Sequence, residues 1–266
     1  MLFRSNTTGS FNVGFGREAG FSNTTTSQST AIGYQALYNN TTGSMTAVGY
    51  QALYANTTGS DNVAVGWQSM YANTNGYEGV ALGNQTLYSN TGGQRNTAIG
   101  HNVLRSNSTG NDNCGVGWYA LRVTTGSSNT ALGSAAGNAI SSGTNNTVAG
   151  YGAGSSINTG ANNVCIGYTA GDNISSGTVN TCVGRNAIPN AATDVNETVI
   201  GGGFPFQGKG SNTAYIGGSS GAYNQANNSS WSTTSDQRLK KNIVEDRKST
   251  RLNSSHIPLS RMPSSA

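Results

Sequence analysis

Short alternations of apolar and small residues recur along the chain, and each one ends on a glycine. In thirteen successive units the residue before that glycine is apolar: Phe15, Ile32, Val48, Val65, Leu82, Ile99, Val116, Leu132, Ala149, Ile166, Val183, Ile200 and Ile216. Three positions before the glycine, Thr or Val dominates (Thr30, Thr46, Val63, Val80, Thr97), and the residue between is usually small (Ala31, Ala47, Ala64, Ala81, Ala98). β-Branched residues at period two, closed by glycine, predict a three-residue strand in every unit. The alternation predicts one bulky, buried face and one almost bare face, the bare one suited to close approach of another strand or subunit. From Gly16 to Gly217 these glycines recur at a mean spacing of about 17 residues. Self-similarity at that length predicts an all-β solenoid, β-roll-like, whose units bury apolar surface by stacking on their neighbours.

The rest of each unit is a second short segment and a turn. Early units read Tyr34-Gln35-Ala36-Leu37-Tyr38 and then Asn39-Asn40-Thr41-Thr42-Gly43-Ser44, the latter strong in turn chemistry. Near Gly133 the unit changes. The apolar anchor sits four residues after the glycine in Leu37, Leu53, Met70, Leu87, Leu104 and Leu121, but seven after it in Ile140, Ile157 and Ile174. At about 4.8 Å per stacked coil the repeats predict a rod of roughly 60 Å. A coil this small has little interior of its own, so lateral association would help to bury its surface.

Composition narrows the reading. Only 9% of residues are charged and 34% are hydrophobic, with 38 glycines. Disorder normally accompanies high net charge and few aromatics; here Tyr and Trp recur at fixed repeat positions, which favours order by stacking. The formal charge of +4 is not a nucleic-acid signature, because residues 1–230 carry seven basic and seven acidic side chains. The excess lies beyond them, leaving the repeats no basic stripe for a phosphate backbone. No apolar run is long enough to span a membrane, and no signal-peptide core follows Met1-Leu2-Phe3-Arg4. Asn6-Thr7-Thr8-Gly9-Ser10 matches Asn40-Thr41-Thr42-Gly43-Ser44, so the chain reads as starting inside a repeat.

Candidate chemistry in the rod is sparse. Cys114, Cys165 and Cys182 fall in the strands without a Cys-x-x-Cys or His cluster, and read as small core residues rather than a disulfide or metal site. His101 replaces an aromatic at its repeat position. Gly150, Gly152 and Gly154 lack the helix and the Lys of a phosphate loop. No cofactor and no metal are expected. The aromatics after the glycine (Tyr34, Tyr50, Trp67, Trp118, Tyr151, Tyr168) and the set Tyr38, Tyr54, Tyr71 and Tyr88 predict ladders. The second set is the candidate for surface contacts with a glycan or protein, against the plainer reading that the rings stack on each other.

Units such as Asn62-Val63-Ala64-Val65-Gly66 resemble the head repeats of trimeric autotransporter adhesins, over residues 10–217. The resemblance implies a parallel β-roll assembled as a homotrimer, though the period here is somewhat longer than that family's unit. Downstream, Ser235-Asp236-Gln237-Arg238-Leu239-Lys240-Lys241-Asn242-Ile243 breaks the repeat composition and resembles the opening of the self-cleaving intramolecular chaperone domain of phage tail fibres, tail spikes and endosialidases. That resemblance implies Ser235 as nucleophile on the Thr234–Ser235 bond and Lys240 as its base. A lysine acts so only when burial or a nearby cation lowers its pKa. Asp246–His256 and Ser260–Ala266 resemble a translated sequencing adapter.

The expected organisation is β-solenoid repeats over 1–217, a linker over 218–234, a truncated chaperone start over 235–245 and non-native sequence over 246–266. The truncation predicts no self-cleavage by this chain. The expected function is structural and adhesive: a viral tail-fibre shaft or head on the virion, a homotrimer offering repeated contacts to a host-surface glycan or protein. It would take no nucleic acid and not insert into a membrane. The alternative is a bacterial trimeric surface adhesin, extracellular or on the cell surface. An ice-binding solenoid fits less well, since such a face wants a flat Thr-x-Thr array and the threonines here sit beside Asn and Gly in turns. Glycan hydrolysis lacks a recurring carboxylate pair.

Overall fold

A computed structural model describes residues 6–203 and 206–218. The linker beyond Gly218, the Ser235–Lys240 motif and segment 246–266 lie outside the described residues. Thirteen strands, from Val13–Phe15 to Ala214–Gly218, form one parallel sheet, each bonded to the strand one unit away. The register is that of the repeat, with Thr30 beside Thr46, Ala31 beside Ala47 and Ile32 beside Val48. The chain is therefore a β-solenoid, each unit one coil. A second small sheet, Ala187–Ile188 with Phe206–Gln207, marks a departure from the repeat near its end.

The recurring glycine closes each strand because no other residue fits. Gly49 has φ 138°, and a Cβ there would sit on the carbonyl of Gly66 in the next coil. Backbones thus meet without side chains between them, and the chain bends out of the sheet.

The strand faces are the reverse of the sequence expectation. The small residue points inward: Ala31, Ala47, Ala64, Ala81 and Ala98 are all 0% exposed. The bulky flanking residues face outward and are half-exposed or exposed, with Leu132 at 57% and Ile166 at 43%. The reason is interior volume. Leu37, Leu53, Met70, Leu87, Leu104 and Leu121 reach in from the opposite arc and fill the coil, leaving room for a methyl group. At Gly115 even that is excluded, because a Cβ there would lie 2.6 Å from Val103 Cγ1.

The change near Gly133 conserves that volume. Leucine at the fourth position becomes Gly137, Gly154 and Gly171, and Ile140, Ile157 and Ile174 fill the space from the seventh. A Cβ on Gly137 would meet Ile140 Cδ1 at 2.9 Å and Leu121 Cδ2 at 3.0 Å. The inward strand residue grows to match, to Val148, Cys165, Cys182 and Val199. Both subtypes keep a left-handed backbone at the fourth position, φ 50° at Leu37 and 59° at Gly137. The leucines hold it at a cost of roughly 1–2 kcal/mol each.

Two interior asparagine ladders complete the core. From Asn40 the first runs through Asn56, Asn73, Asn90 and Asn107, each of these four donating its Nδ2 to the Oδ1 one coil earlier at 2.7–2.9 Å, while Asn40 Nδ2 itself lacks a partner. The row stops at the subtype boundary, where Thr124 replaces asparagine and both Asn107 Oδ1 and Thr124 Oγ1 lack partners. The second ladder runs through Asn96, Asn113, Asn129, Asn146, Asn163 and Asn180. Here each Oδ1 accepts the next coil's backbone N–H, and the Nδ2 groups donate to turn carbonyls such as Gly126 and Gly143. It ends on Glu197, whose N–H donates to Asn180 Oδ1 at 2.9 Å.

Candidate functional site

The segment after each glycine carries the side chains that could meet a partner. The tyrosine set is a continuous stack: Phe21 on Tyr38 at 5.0 Å between ring centroids, then Tyr38, Tyr54, Tyr71 and Tyr88 at 5.2 Å, with interplanar angles of 5–15°. In-register coils place rings one coil apart, and the rings cover each other's faces. Outward they present edges and hydroxyls. Burial, then the phenols of Tyr54, Tyr88 and Tyr50, push the Tyr71 pKa up; the other aromatic row, directly after the glycine, begins with Tyr34, Tyr50 and Trp67.

Between these rows runs a ladder the sequence reading missed. Gln85 donates to Gln68 at 3.2 Å, Gln68 to Gln51 at 3.0 Å, Gln51 to Gln35 at 2.9 Å and Gln35 to Glu18 at 2.8 Å. Arg105 Nε donates to Gln85 Oε1 at 3.4 Å. The ladder begins at a carboxylate, which only accepts, and ends at a guanidinium, which only donates, so the ends fix the direction of every amide. Arg105 also lies over Tyr88, 5.2 Å from its centroid, and Arg17 pairs with Glu18 at 3.4 Å while lying over Tyr34. The two arginines bound an aromatic–amide face over the first coils. The signal was present in sequence as glutamine two residues after Gly33, Gly49, Gly66 and Gly83.

The ring row directly after the glycine is interrupted. Tyr34 stacks on Tyr50 at 5.3 Å and Tyr50 on Trp67 at 6.3 Å. The next coil has exposed Asn84, and the one after it exposed His101. Trp67 is 44% exposed, and among the described residues no ring stacks on its second face. Beyond the gap, Trp118 and Tyr119 stack at 3.8 Å, His101 meets Tyr119 at 5.7 Å and Arg122 lies over Tyr119 at 4.9 Å. Tyr151 and Tyr168 form a last pair at 5.4 Å.

The cysteines divide as core and surface. Cys165 and Cys182 are register partners, buried and free, while free Cys114 is half-buried on the outward strand row. A hydrogen bond with Cys182 and burial push the Cys165 thiol well up. Among the described residues no group of three or more His, Cys, Asp or Glu could hold a metal ion, and no helix is long and apolar enough to cross a membrane.

Glu197 is wholly buried. Its carboxylate accepts the backbone N–H groups of Asn190 at 3.0 Å, of Lys209, and of Gly210 at 2.7 Å, with Thr213 Oγ1 at 3.2 Å. It ties the turn at Asn190 to the turn at Lys209–Gly210, while buried Phe206 packs on Tyr215 at 4.7 Å. A carboxylate saturated by backbone donors is structural. Comparison with protein-family models, curated proteins and solved structures found no match for this chain.

Proposed function

We propose that the protein is a structural and adhesive fibre element, the shaft or head of a viral tail fibre, working as a parallel homotrimer. The observation that carries this reading is the outward face of the sheet. Along all thirteen strands the residue before the glycine is apolar, and none of the residues in the two outward strand rows is charged. Strand and coil spacings give this strip on the order of 60 Å by 10 Å, the scale of one partner's share in a standard interface, about 800 Å². One of its rows is apolar throughout and the other mixes Thr with Val, Cys and Ala; monomers rarely leave so long an apolar row in water. A partner that matches it row for row needs the same coil spacing, which a second copy of the chain has. The resemblance of Ser235–Ile243 to the chaperone domain favours the viral reading over a bacterial adhesin.

Sedimentation equilibrium tests the association, with three times the 27.2 kDa chain mass expected. Cys114 lies mid-strip, so a bismaleimide of suitable span should join copies through it when they lie parallel and in register. The double variant Ile99→Lys/Leu132→Lys should sediment as a monomer with an unchanged far-ultraviolet spectrum. A wild-type protein that is monomeric at micromolar concentration refutes the reading.

A further inference from the structure

We propose that the gap at Asn84 is a sugar-binding slot, in which a single pyranose ring takes the place of the missing rung. This deepens the adhesive reading above and rests on it, but does not need the chains to associate. The argument begins with the row Tyr34, Tyr50 and Trp67, rings stacked coil upon coil. Asn84 puts a short amide where the next ring belongs, and His101 restores a ring one coil later. Strict register between these coils (Val65 beside Leu82, Leu82 beside Ile99) places Trp67 and His101 two coils apart. Two coil spacings are about 10 Å, the separation between two rings that hold a third between them.

The slot has the chemistry of a sugar site. A pyranose offers apolar C–H faces above and below and hydroxyls around its rim. Trp67 supplies an open aromatic face, and Trp is the strongest aromatic platform by area. The rim meets neutral donors and acceptors: the Asn84 amide at the base and, beside it, the Gln85 amide. Within its ladder Gln85 gives one N–H to Gln68 and accepts from Arg105, which leaves one N–H for a ligand. Tyr88 carries its hydroxyl in the neighbouring row. The uninterrupted stack of Tyr38, Tyr54, Tyr71 and Tyr88 has no equivalent opening, since each interior face is covered.

The test uses the full chain with Trp118→Phe as background, so that Trp67 reports among fewer indoles. The probes are the methyl β-glycosides of glucose, galactose and N-acetylglucosamine, followed by Trp67 fluorescence and saturation-transfer NMR. At least one probe is expected to bind at millimolar concentration, with its ring C–H protons saturated most strongly. Asn84→Tyr installs the residue found at this position in two earlier coils. It should fill the slot, weaken binding at least tenfold and leave the melting temperature equal or higher. Trp67→Ala should weaken binding similarly. Binding unchanged in Asn84→Tyr, or no binding of any probe to wild type, overturns the slot. A monomeric protein that binds a probe loses the trimer and keeps the slot; a trimer that binds none does the reverse.

Discussion

Asn90 sits in the middle of an interior ladder, wholly buried, and replacing it with aspartate tests whether that ladder is directional. Asn90 Nδ2 donates to Asn73 Oδ1 at 2.8 Å and to the Gly93 carbonyl at 3.0 Å, and its Oδ1 accepts from Asn107 at 2.9 Å. When protonated, the carboxyl of Asn90→Asp keeps one donor for Asn73 and loses only the bond to Gly93, a cost of about 1–2 kcal/mol. When ionised, it sets a carboxylate oxygen against two acceptors with no water between them. The folded-state pKa of the variant carboxyl is then raised above its unfolded value near 4. Between those two values the native state binds more protons than the unfolded chain. The variant's stability relative to wild type therefore falls as pH rises, by up to about 1.4 kcal/mol per unit, or about 4 kcal/mol over three units. Urea unfolding of both proteins by far-ultraviolet circular dichroism, from about pH 4 to pH 7, reads this difference directly. A deficit of Asn90→Asp that stays constant with pH would show that the ladder does not demand a donor, and the reasoning would fail.

The subtype boundary gives a double-mutant cycle. Leu121→Gly alone empties the coil at a cost of about 2–5 kcal/mol, less the relieved left-handed strain. Thr124→Ile alone overpacks against Leu121 by about 1–3 kcal/mol. Together they convert the coil to the second subtype, so chemical denaturation should show a coupling of about 2 kcal/mol or more; additive losses would contradict the volume exchange. Ellman's reagent should titrate Cys114 alone in the native protein and all three thiols in guanidinium, because Cys165 and Cys182 are buried and the Cys165 thiol is pushed well up by its hydrogen bond with Cys182 and by burial. Glu197→Ala unpairs the backbone donors of Asn190, Lys209 and Gly210 and should cost about 3 kcal/mol, seen as faster amide hydrogen exchange at Lys209 and Gly210 with the earlier coils unchanged.

Much of this architecture was legible in sequence, for a physical reason. Parallel in-register stacking maps translation along the rod onto a fixed chain interval, so Gly16 through Gly217 and the shift from Leu121 to Ile140 show the coils and their two kinds. The tyrosine stack followed from the same rule. What the order of residues could not decide was which side of each strand faces in. An alternation such as Thr30-Ala31-Ile32 is compatible with either side, and bulk suggested the wrong one. The side was chosen by Leu37 and its equivalents, which arrive from the opposite arc and leave space for alanine alone. The directional ladders were hidden likewise: Gln35, Gln51, Gln68 and Gln85 look like ordinary polar turn residues until register brings their amides within bonding distance. Glu197 and the gap at Asn84 are single departures from a repeat, and each acquired meaning only from the rows it ends or interrupts. The sequence by itself determined the period, the rod and its two subtypes. Tertiary stacking decided which face is core and which is exposed, because that choice depends on a volume shared between residues on opposite sides of the coil.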